Sequence, residues 1–259
     1  MDVLVTAGGI PQPDEPLYTY TLGKPKAMLD IAGKPMVQWV LDALGSAQQV
    51  ENVVLIGLPA ESSVICTKPL TFIPNQTSMI ENILAGIKQV MMTNPSAKHV
   101  LLVSSDIPAI TANMVDWEIE TTEQSEVDLC YSVVKREVIE ARYPDSKRTF
   151  TRLKGMQVCG ADMNVVSTSV VNMDPAIWER LVASRKNPLK QAAIIGFNTL
   201  ILAMLGIITL DEALKKATSR LHMTGQVIIC PFAEAAMDVD KPNQLELIRA
   251  DLEKRGQDD

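Results

Sequence analysis

The sequence predicts an α/β protein with a mostly parallel sheet, and three observations support this fold class. Short apolar runs alternate with segments of helical periodicity, the order that produces parallel strands joined by right-handed crossovers. Aromatic residues make up only 4% of the chain, so its core is aliphatic, as is common where buried parallel strands supply it. Glycines or a carboxylate follow two of the predicted strands, at the edge where such sheets bind ligands.

The predicted elements follow in a regular order. Buried strands are expected at residues 3–6, 52–58, 70–73 and 99–104, and amphipathic helices at 36–44 and 78–92. A long proline-rich segment, 10–26, follows the first strand and has the length of a functional loop. The second half adds strands at 126–134 and 226–231, a strand and turn at 157–166, and helices at 175–184, 189–205, 210–220 and 244–254. Since no repeat or linker interrupts this order, we expect one domain over residues 1–259 with a helical insertion around 175–220.

Composition excludes several classes of protein. The formal net charge of −7 lacks the field of a nucleic-acid-binding protein, so any polyanion that the chain binds is small and held locally. Four cysteines lie scattered without a CxxC pair, which fits a reducing cytosol and neither a zinc site nor a disulfide framework. The first residues have no basic segment and read directly as a strand. We therefore expect no signal peptide and a cytoplasmic location.

One apolar segment, residues 192–210, has the length of a membrane span. It contains Asn198, Thr199 and two glycines, and a strand and helix pattern resumes after it. We therefore interpret it as a buried helix followed by a short apolar element, with no membrane span. The alternative is a hydrophobic surface for a lipid-like acceptor or for a partner subunit, which leaves a homodimer open.

The first loop carries a signal for phosphate binding. Gly8 and Gly9 follow a buried strand, where glycine lets backbone amides approach a ligand, and such amide nests bind phosphate without side chains. Residues 23–26, GKPK, then place Lys24 and Lys26 on a stiff segment, and lysine acts on phosphate as a compact point charge. The alternative is a tight turn followed by two solvated lysines.

Two aspartates are candidate metal ligands. Asp106 follows the fourth strand, and Asp240 lies in a second strand-to-helix junction at 238–242. Carboxylates suit Mg²⁺, which is typically held by one or two of them together with substrate phosphates and water. Each aspartate also has a structural interpretation: Asp106 as a turn residue before Pro108, and Asp240 as the cap of the helix that Pro242 begins.

Four segments in order resemble the MobA-like NTP transferases: VTAGG, GKPKAMLDIAGKPMVQWVLDAL, LLVSSDIPAIT and AAMDVDKPNQLELI. From the first segment to the last, they cover nearly the whole chain. The resemblance implies a Rossmann-like three-layer α/β/α sandwich of the nucleotide-diphospho-sugar transferase type. It also implies a Mg²⁺-dependent nucleotidyltransferase, which transfers NMP from an NTP to a phosphorylated small-molecule acceptor and releases pyrophosphate.

The resemblance further implies the residues of the triphosphate and metal sites. The triphosphate is held by the first loop and a lysine, which correspond here to Ala7, Gly8, Gly9 and Lys26. The metal ligands correspond to Asp106 and Asp240. Lys26 and Asp106 are therefore the expected catalytic residues.

The nucleoside and the acceptor are assigned in the same way. Asn82 and Gly86 match positions near the nucleoside, although an amide both donates and accepts, so Asn82 does not identify the base. The segment that faces the acceptor corresponds to Gly160, Asp162 and Asn164. Arg148, in the basic stretch 142–154, is a candidate for binding an anionic acceptor; the alternative for this stretch is a solvated hairpin face.

The first loop also departs from the family pattern. The family usually has Gly-x-Gly-x-Arg-Met, and its arginine contacts the phosphates, whereas Gly9 is followed here by IPQPDE. Lys24, Arg148 or Arg152 could replace that arginine. The departure leaves open a nucleotide-binding or regulatory protein of the same fold that has lost transfer. A dinucleotide-dependent oxidoreductase is a further alternative, which the missing GxGxxG disfavours.

Overall fold

A computed structural model describes residues 1–174, 176–178 and 207–258. The strands are β1 Asp2–Thr6, β2 Asp30–Ile31, β3 Lys34–Pro35, β4 Val53–Ile56, β5 Leu70–Ile73, β6 His99–Ser104, β7 Leu129–Lys135, β8 Thr151–Leu153, β9 Met156–Gly160, β10 Met163–Ser167 and β11 Gly225–Cys230. The helices are α1 Tyr18–Thr21, α2 Met36–Ser46, α3 Met79–Thr93, α4 Ala112–Thr122, α5 Arg136–Arg142, α6 Leu210–Arg220 and α7 Pro242–Asp258. Short 3-10 helices lie at Lys26–Met28, Ala60–Ser62, Thr168–Asn172 and Ala233–Ala236.

One mixed sheet of nine strands organises the fold. Its order is β5-β4-β1-β6-β10-β7-β9-β8, and β11 also pairs with β7. Strands β5, β4, β1 and β6 are parallel, so their carboxyl ends meet at one edge of the sheet. Strand β10 is antiparallel to both β6 and β7. The parallel core confirms the predicted fold class, and the antiparallel strands extend it.

Side chains of successive strand residues enter opposite layers, because a strand points them alternately to its two faces. Val3 and Val5 belong to a buried cluster that includes the apolar faces of α2, α4 and α7. Leu4, between them, packs in a separate cluster with Ile87 and Val90 of α3. The sheet therefore lies between helices on both faces, as expected for a three-layer α/β/α sandwich.

The sheet divides between β9 and β10, at Gly160-Ala161-Asp162. Before this fork, in β9, the chain pairs with the last residues of β7, and after it, in β10, the chain pairs with β6 and with the first residues of β7. Asn164 bridges the opening: its Oδ1 accepts a hydrogen bond from Ser132 N, at 3.0 Å, and its Nδ2 donates to Ala161 O, at 3.0 Å. The asparagine side chain thus replaces backbone hydrogen bonds that the diverging strands cannot make.

Several predicted elements differ in detail or fall outside the described residues. The first loop contains the single-turn helix α1. The basic stretch 142–154 begins at the last residue of α5 and includes β8, which pairs with β9 in an antiparallel hairpin. Of the expected helical insertion, α6 has the predicted bounds, while predictions that fall on residue 175 and on 179–206 lie outside the described residues. Among the helices that the structure describes, none combines the length and the apolar character that crossing a membrane requires.

Candidate active site

The parallel strands bring the loops of the candidate site to one edge of the sheet. The loops after β1, β5 and β6 line a cavity of about 330 Å³. The long first loop and the segment before α7 line a second cavity, of about 470 Å³. Gly9 and Lys26 border both cavities, so the phosphate-binding candidates of the sequence lie where the two cavities meet.

Close packing explains the first glycine of the loop. A side chain at Gly8 would place its Cβ 2.2 Å from Oδ1 of Asn75, which real contacts do not allow. Gly57, which follows β4, has a φ of +103°, and its Cβ would lie 2.3 Å from the Cα of Gly8. Gly9, in contrast, has open space around it, and Ala7 is buried. Among residues 7–9, Ala7 and Gly8 are therefore closely packed, and Gly9 has open space beside it.

Lys26 lies at the centre of the site. It begins a 3-10 helix, and its backbone N–H donates to Gly9 O at 2.8 Å, which holds the lysine against the first loop. Its Nζ lies 2.5 Å from Asp106 Oδ2 and 2.6 Å from Asp240 Oδ1. Burial lowers the pKa of Lys26, but the two carboxylates outweigh this effect and raise it. The lysine is thus a fixed ammonium ion shared by two acids.

The two aspartates come from loops that hydrogen bond to each other. The backbone N–H of Val239 donates to Asp106 O at 2.9 Å, and Asp240 N donates to Gln244 Oε1 at 3.0 Å. Burial raises the pKa of Asp240, but hydrogen bonding to Asp238 and the charge of Lys26 lower it overall. Oδ1 of Asp106 is buried and has no hydrogen-bond partner within the described part of the chain.

Two further aspartates, Asp162 and Asp238, lie beside Asp106 and Asp240. Arg148 forms an ion pair with Asp238, and both side chains are largely buried. Burial, together with the charges of Asp238 and Asp106, raises the pKa of Asp162 to about 8. Burial also raises the pKa of Asp238. The structure thus brings Arg148 and Asp162, both predicted at the acceptor, to the same acidic group as the predicted metal ligands.

The nucleoside residues lie in different environments. Oδ1 of Asn82 accepts a hydrogen bond from Gln76 N at 2.7 Å, and its Nδ2 donates to Asn75 Oδ1 at 2.9 Å. Gly86 is buried, and a Cβ there would lie 2.8 Å from Ile56 Cδ1. The structure therefore gives Gly86 a packing role, since this glycine allows α3 to lie close to the sheet, and a place beside the nucleoside stays a prediction.

The acceptor segment also combines two roles. Gly160 lies against Tyr131, whose Oη would be 2.4 Å from a Cβ at position 160. Both ends of the Asn164 amide form hydrogen bonds with the backbone of the fork. Asp162 is therefore the residue of this segment whose carboxylate lies among the acidic side chains of the site.

Three residues escaped the sequence interpretation. Asp238 is part of the DVDKP motif, where the spacing of two alternate aspartates was the available signal. Lys241 lines the 470 Å³ cavity and supplies a positive charge near the loop that lacks the family arginine. Asn75 lines the 330 Å³ cavity, and no sequence pattern marks it. The described residues contain no group of three or more His, Cys, Asp or Glu side chains placed to hold a metal ion.

The chain belongs to the family of the MobA-like NTP transferase domain, whose family model matches residues 20–193. Fold and family thus define the class of protein: a nucleotidyltransferase, as the sequence motifs predicted. No curated protein sequence matches the chain.

Solved structures of similar fold cover almost the whole chain. A hypothetical transferase from Thermus thermophilus is 28% identical, with a TM-score of 0.79 over 94% of this chain and 98% of that one. The CMP:2-keto-3-deoxy-manno-octonic acid synthetase complexed with CTP is 14% identical, with a TM-score of 0.55 over 98% and 99% of the two chains. The 2-C-methyl-D-erythritol 4-phosphate cytidylyltransferase from Thermus thermophilus is 15% identical, with a TM-score of 0.55 over 98% and 100%. The last two show the shared fold.

Proposed function

We propose that this protein transfers a nucleoside monophosphate from an NTP to a phosphorylated small-molecule acceptor, releases pyrophosphate and uses Mg²⁺. The observation that carries the proposal is the contact of one ammonium group with two carboxylates at the ligand-binding edge of the sheet. Lys26, Asp106 and Asp240 meet there, beside the open backbone at Gly9.

The residues present fit a magnesium ion. Asp106 and Asp240 supply the one or two carboxylates that Mg²⁺ takes alongside substrate phosphates, and Oδ1 of Asp106 is a buried acceptor without a partner in the described residues. Both carboxylates already converge on a cation, the ammonium of Lys26. When bound, Mg²⁺ would neutralise negative charge on the triphosphate.

Lys26 then has a role that depends on the ligand. Its ammonium forms ion pairs with Asp106 and Asp240 and offsets one of their two negative charges. When a triphosphate occupies the edge of the sheet, the same ammonium is within reach of its oxygens, since Lys26 borders both cavities. Lys241, at the 470 Å³ cavity, is suited to neutralise the leaving pyrophosphate in place of the family arginine.

The reaction is an in-line displacement at the α-phosphorus. An oxygen of the acceptor phosphate forms the new bond, and the bond from the α-phosphorus to the oxygen that bridges to the β-phosphorus breaks, so pyrophosphate leaves. The protein contributes position and fixed charge, and no covalent intermediate is needed. We place the acceptor near Arg148, whose Nε is buried and makes no hydrogen bond among the described residues.

Pyrophosphate release tests the proposal. Each common NTP is combined with Mg²⁺ and a panel of phosphorylated sugars and polyols, and the products are measured for the wild type, Asp106→Asn and Asp240→Asn. Loss of a preorganised charged contact should lower the rate by about 10²–10³-fold. Asp211→Asn, an exposed aspartate in the first turn of α6, is the matched control and should leave the rate unchanged.

Two results would contradict the proposal. Rates close to the wild type in both site variants would exclude this site. If nucleotide raises the melting temperature of the wild type but no acceptor is turned over, the result would instead support the nucleotide-binding or regulatory protein that the missing arginine suggests.

A further inference from the structure

A chain of hydrogen bonds lies on the wall of the 330 Å³ cavity. The backbone N–H of Gln76 donates to Oδ1 of Asn82, and Nδ2 of Asn82 donates to Oδ1 of Asn75. Asn82 is only 7% exposed, whereas Asn75 is exposed and lines the cavity. The buried Asn82 therefore connects the backbone of Gln76 to the exposed side chain of Asn75.

This chain fixes which end of each amide points where. A backbone N–H only donates, so the atom of Asn82 that meets Gln76 has to be its oxygen. The other end of Asn82 is then an NH₂ group, which also only donates, so it has to meet the oxygen of Asn75. The other end of Asn75, for which the described residues supply no hydrogen-bond partner, is consequently an NH₂ group. The orientation follows from donor chemistry alone.

Gly8 holds the same amide in place from the other side. The atoms nearest to a Cβ at Gly8 would be Oδ1 of Asn75 at 2.2 Å and its Cγ at 2.6 Å, so the amide fills the space that the glycine leaves. The oxygen of Asn75 is thus occupied by Asn82 and packed against the first loop. What Asn75 offers to a ligand is its pair of N–H donors.

We propose that Asn75 is a specificity-determining residue that selects the base of the nucleotide. An asparagine with both ends free reads adenine, because it accepts from N6–H and donates to N7. The oxygen of Asn75 is held by Asn82 and packed against Gly8, so the end of the amide that is left for a base donates. Asn75 therefore does not make the paired contact to adenine and favours a base edge that carries a carbonyl oxygen, as cytosine, uracil and guanine have. This inference rests on the proposed function, because it takes the 330 Å³ cavity as the place of the base.

Calorimetric binding of CTP, UTP, GTP and ATP with Mg²⁺, in the absence of an acceptor, tests the inference. We expect the wild type to bind at least one carbonyl-bearing nucleotide about tenfold more tightly than ATP, the effect of one net hydrogen bond. Asn75→Ala should reduce this ratio to about one. Asn75→Asp keeps the acceptor for Asn82, replaces the donor by a second acceptor, and should bring the ratio to one or below.

Two controls separate the base from the rest of the ligand. Inorganic tripolyphosphate carries no base, so any change in its affinity in Asn75→Ala measures the effect of the substitution on the phosphate loop at Gly8, which is common to all four nucleotides and leaves their ratio unchanged. Gln124→Glu adds one negative charge at an exposed position near the opposite edge of the sheet, and it should leave the ratio between nucleotides unchanged.

The outcomes are distinguishable. If nucleotides bind but the wild type does not prefer a carbonyl-bearing base, or if its preference survives both Asn75 substitutions, the role of Asn75 is refuted and the proposed function stands. If neither nucleotides nor tripolyphosphate bind, the proposed function fails, and the inference fails with it.

Discussion

Replacing Lys26 by methionine removes the ammonium group that Asp106 and Asp240 share and keeps most of its aliphatic stem. The contact to Asp106 is buried, since the side chains of Lys26 and Asp106 are 17% and 13% exposed. The contact to Asp240 is partly solvated, because the side chain of Asp240 is 56% exposed. The two contacts therefore differ in how much they contribute to stability.

The expected loss follows from these exposures. Removing one partner of a buried ion pair costs about 3–5 kcal/mol, because the other charge stays buried without compensation. An exposed ion pair contributes about 0–1 kcal/mol. We therefore expect Lys26→Met to lower the free energy of unfolding by about 3–5 kcal/mol, almost all of it through Asp106.

Urea denaturation at neutral pH measures this loss in the wild type, in Lys26→Met, in Asp106→Asn and in the double variant. The double variant should be more stable than the sum of the two single losses implies, because it no longer buries an unpaired charge. If Mg²⁺ binds as proposed, the metal and the ammonium compete for the same carboxylates, and saturating Mg²⁺ should stabilise Lys26→Met more than the wild type. A free energy of unfolding of Lys26→Met within about 1 kcal/mol of the wild type, with additive single losses, would refute this reasoning.

Two further predictions concern the sheet around the site. Burial raises the pKa of Glu118 from 4.5 to about 7, so the folded protein binds this proton more tightly than the unfolded chain does, and stability falls as the pH rises through that window. One pKa unit corresponds to about 1.4 kcal/mol. The free energy of unfolding of Glu118→Gln, relative to that of the wild type, should therefore rise by about 3 kcal/mol between pH 4.5 and pH 8. Denaturation at both pH values measures this difference, and a difference that stays constant would contradict the prediction. Asn164→Ala leaves Ser132 N and Ala161 O without their partner and should cost about 1–3 kcal/mol. An unchanged denaturation midpoint would show that the fork holds without this bridge.

The parallel core was predictable because its signals are local. Apolar runs such as Val3–Thr6 and the helical periodicity of α3 depend on neighbouring residues, and alternating strands and helices then fix parallel pairing. The convergence of Gly9, Lys26 and Asp106 follows in part from the same rule, since the carboxyl ends of parallel strands share an edge. The sequence motifs predicted membership of the MobA-like NTP transferase family, and the match of the family model confirms it.

Contacts between distant loops were not predictable from one sequence. Arg148 and Asp238 are 90 positions apart, and their pairing requires the loop before β8 to meet the segment before α7. Gly86 and Asn164 were predicted at the ligand because they match family positions, but their neighbours in space engage them in packing and in the fork.

The sequence by itself determined the class of fold, the family and the residue types at the edge of the sheet, because these depend on periodicity and on short motifs. The tertiary structure decided which charge neutralises which. It placed Lys26 between two carboxylates, and it paired the oxygen of Asn75 with Asn82 beside the 330 Å³ cavity. Hydrogen bonds and ion pairs act over a few ångströms, so their partners are known only when the loops have been brought together.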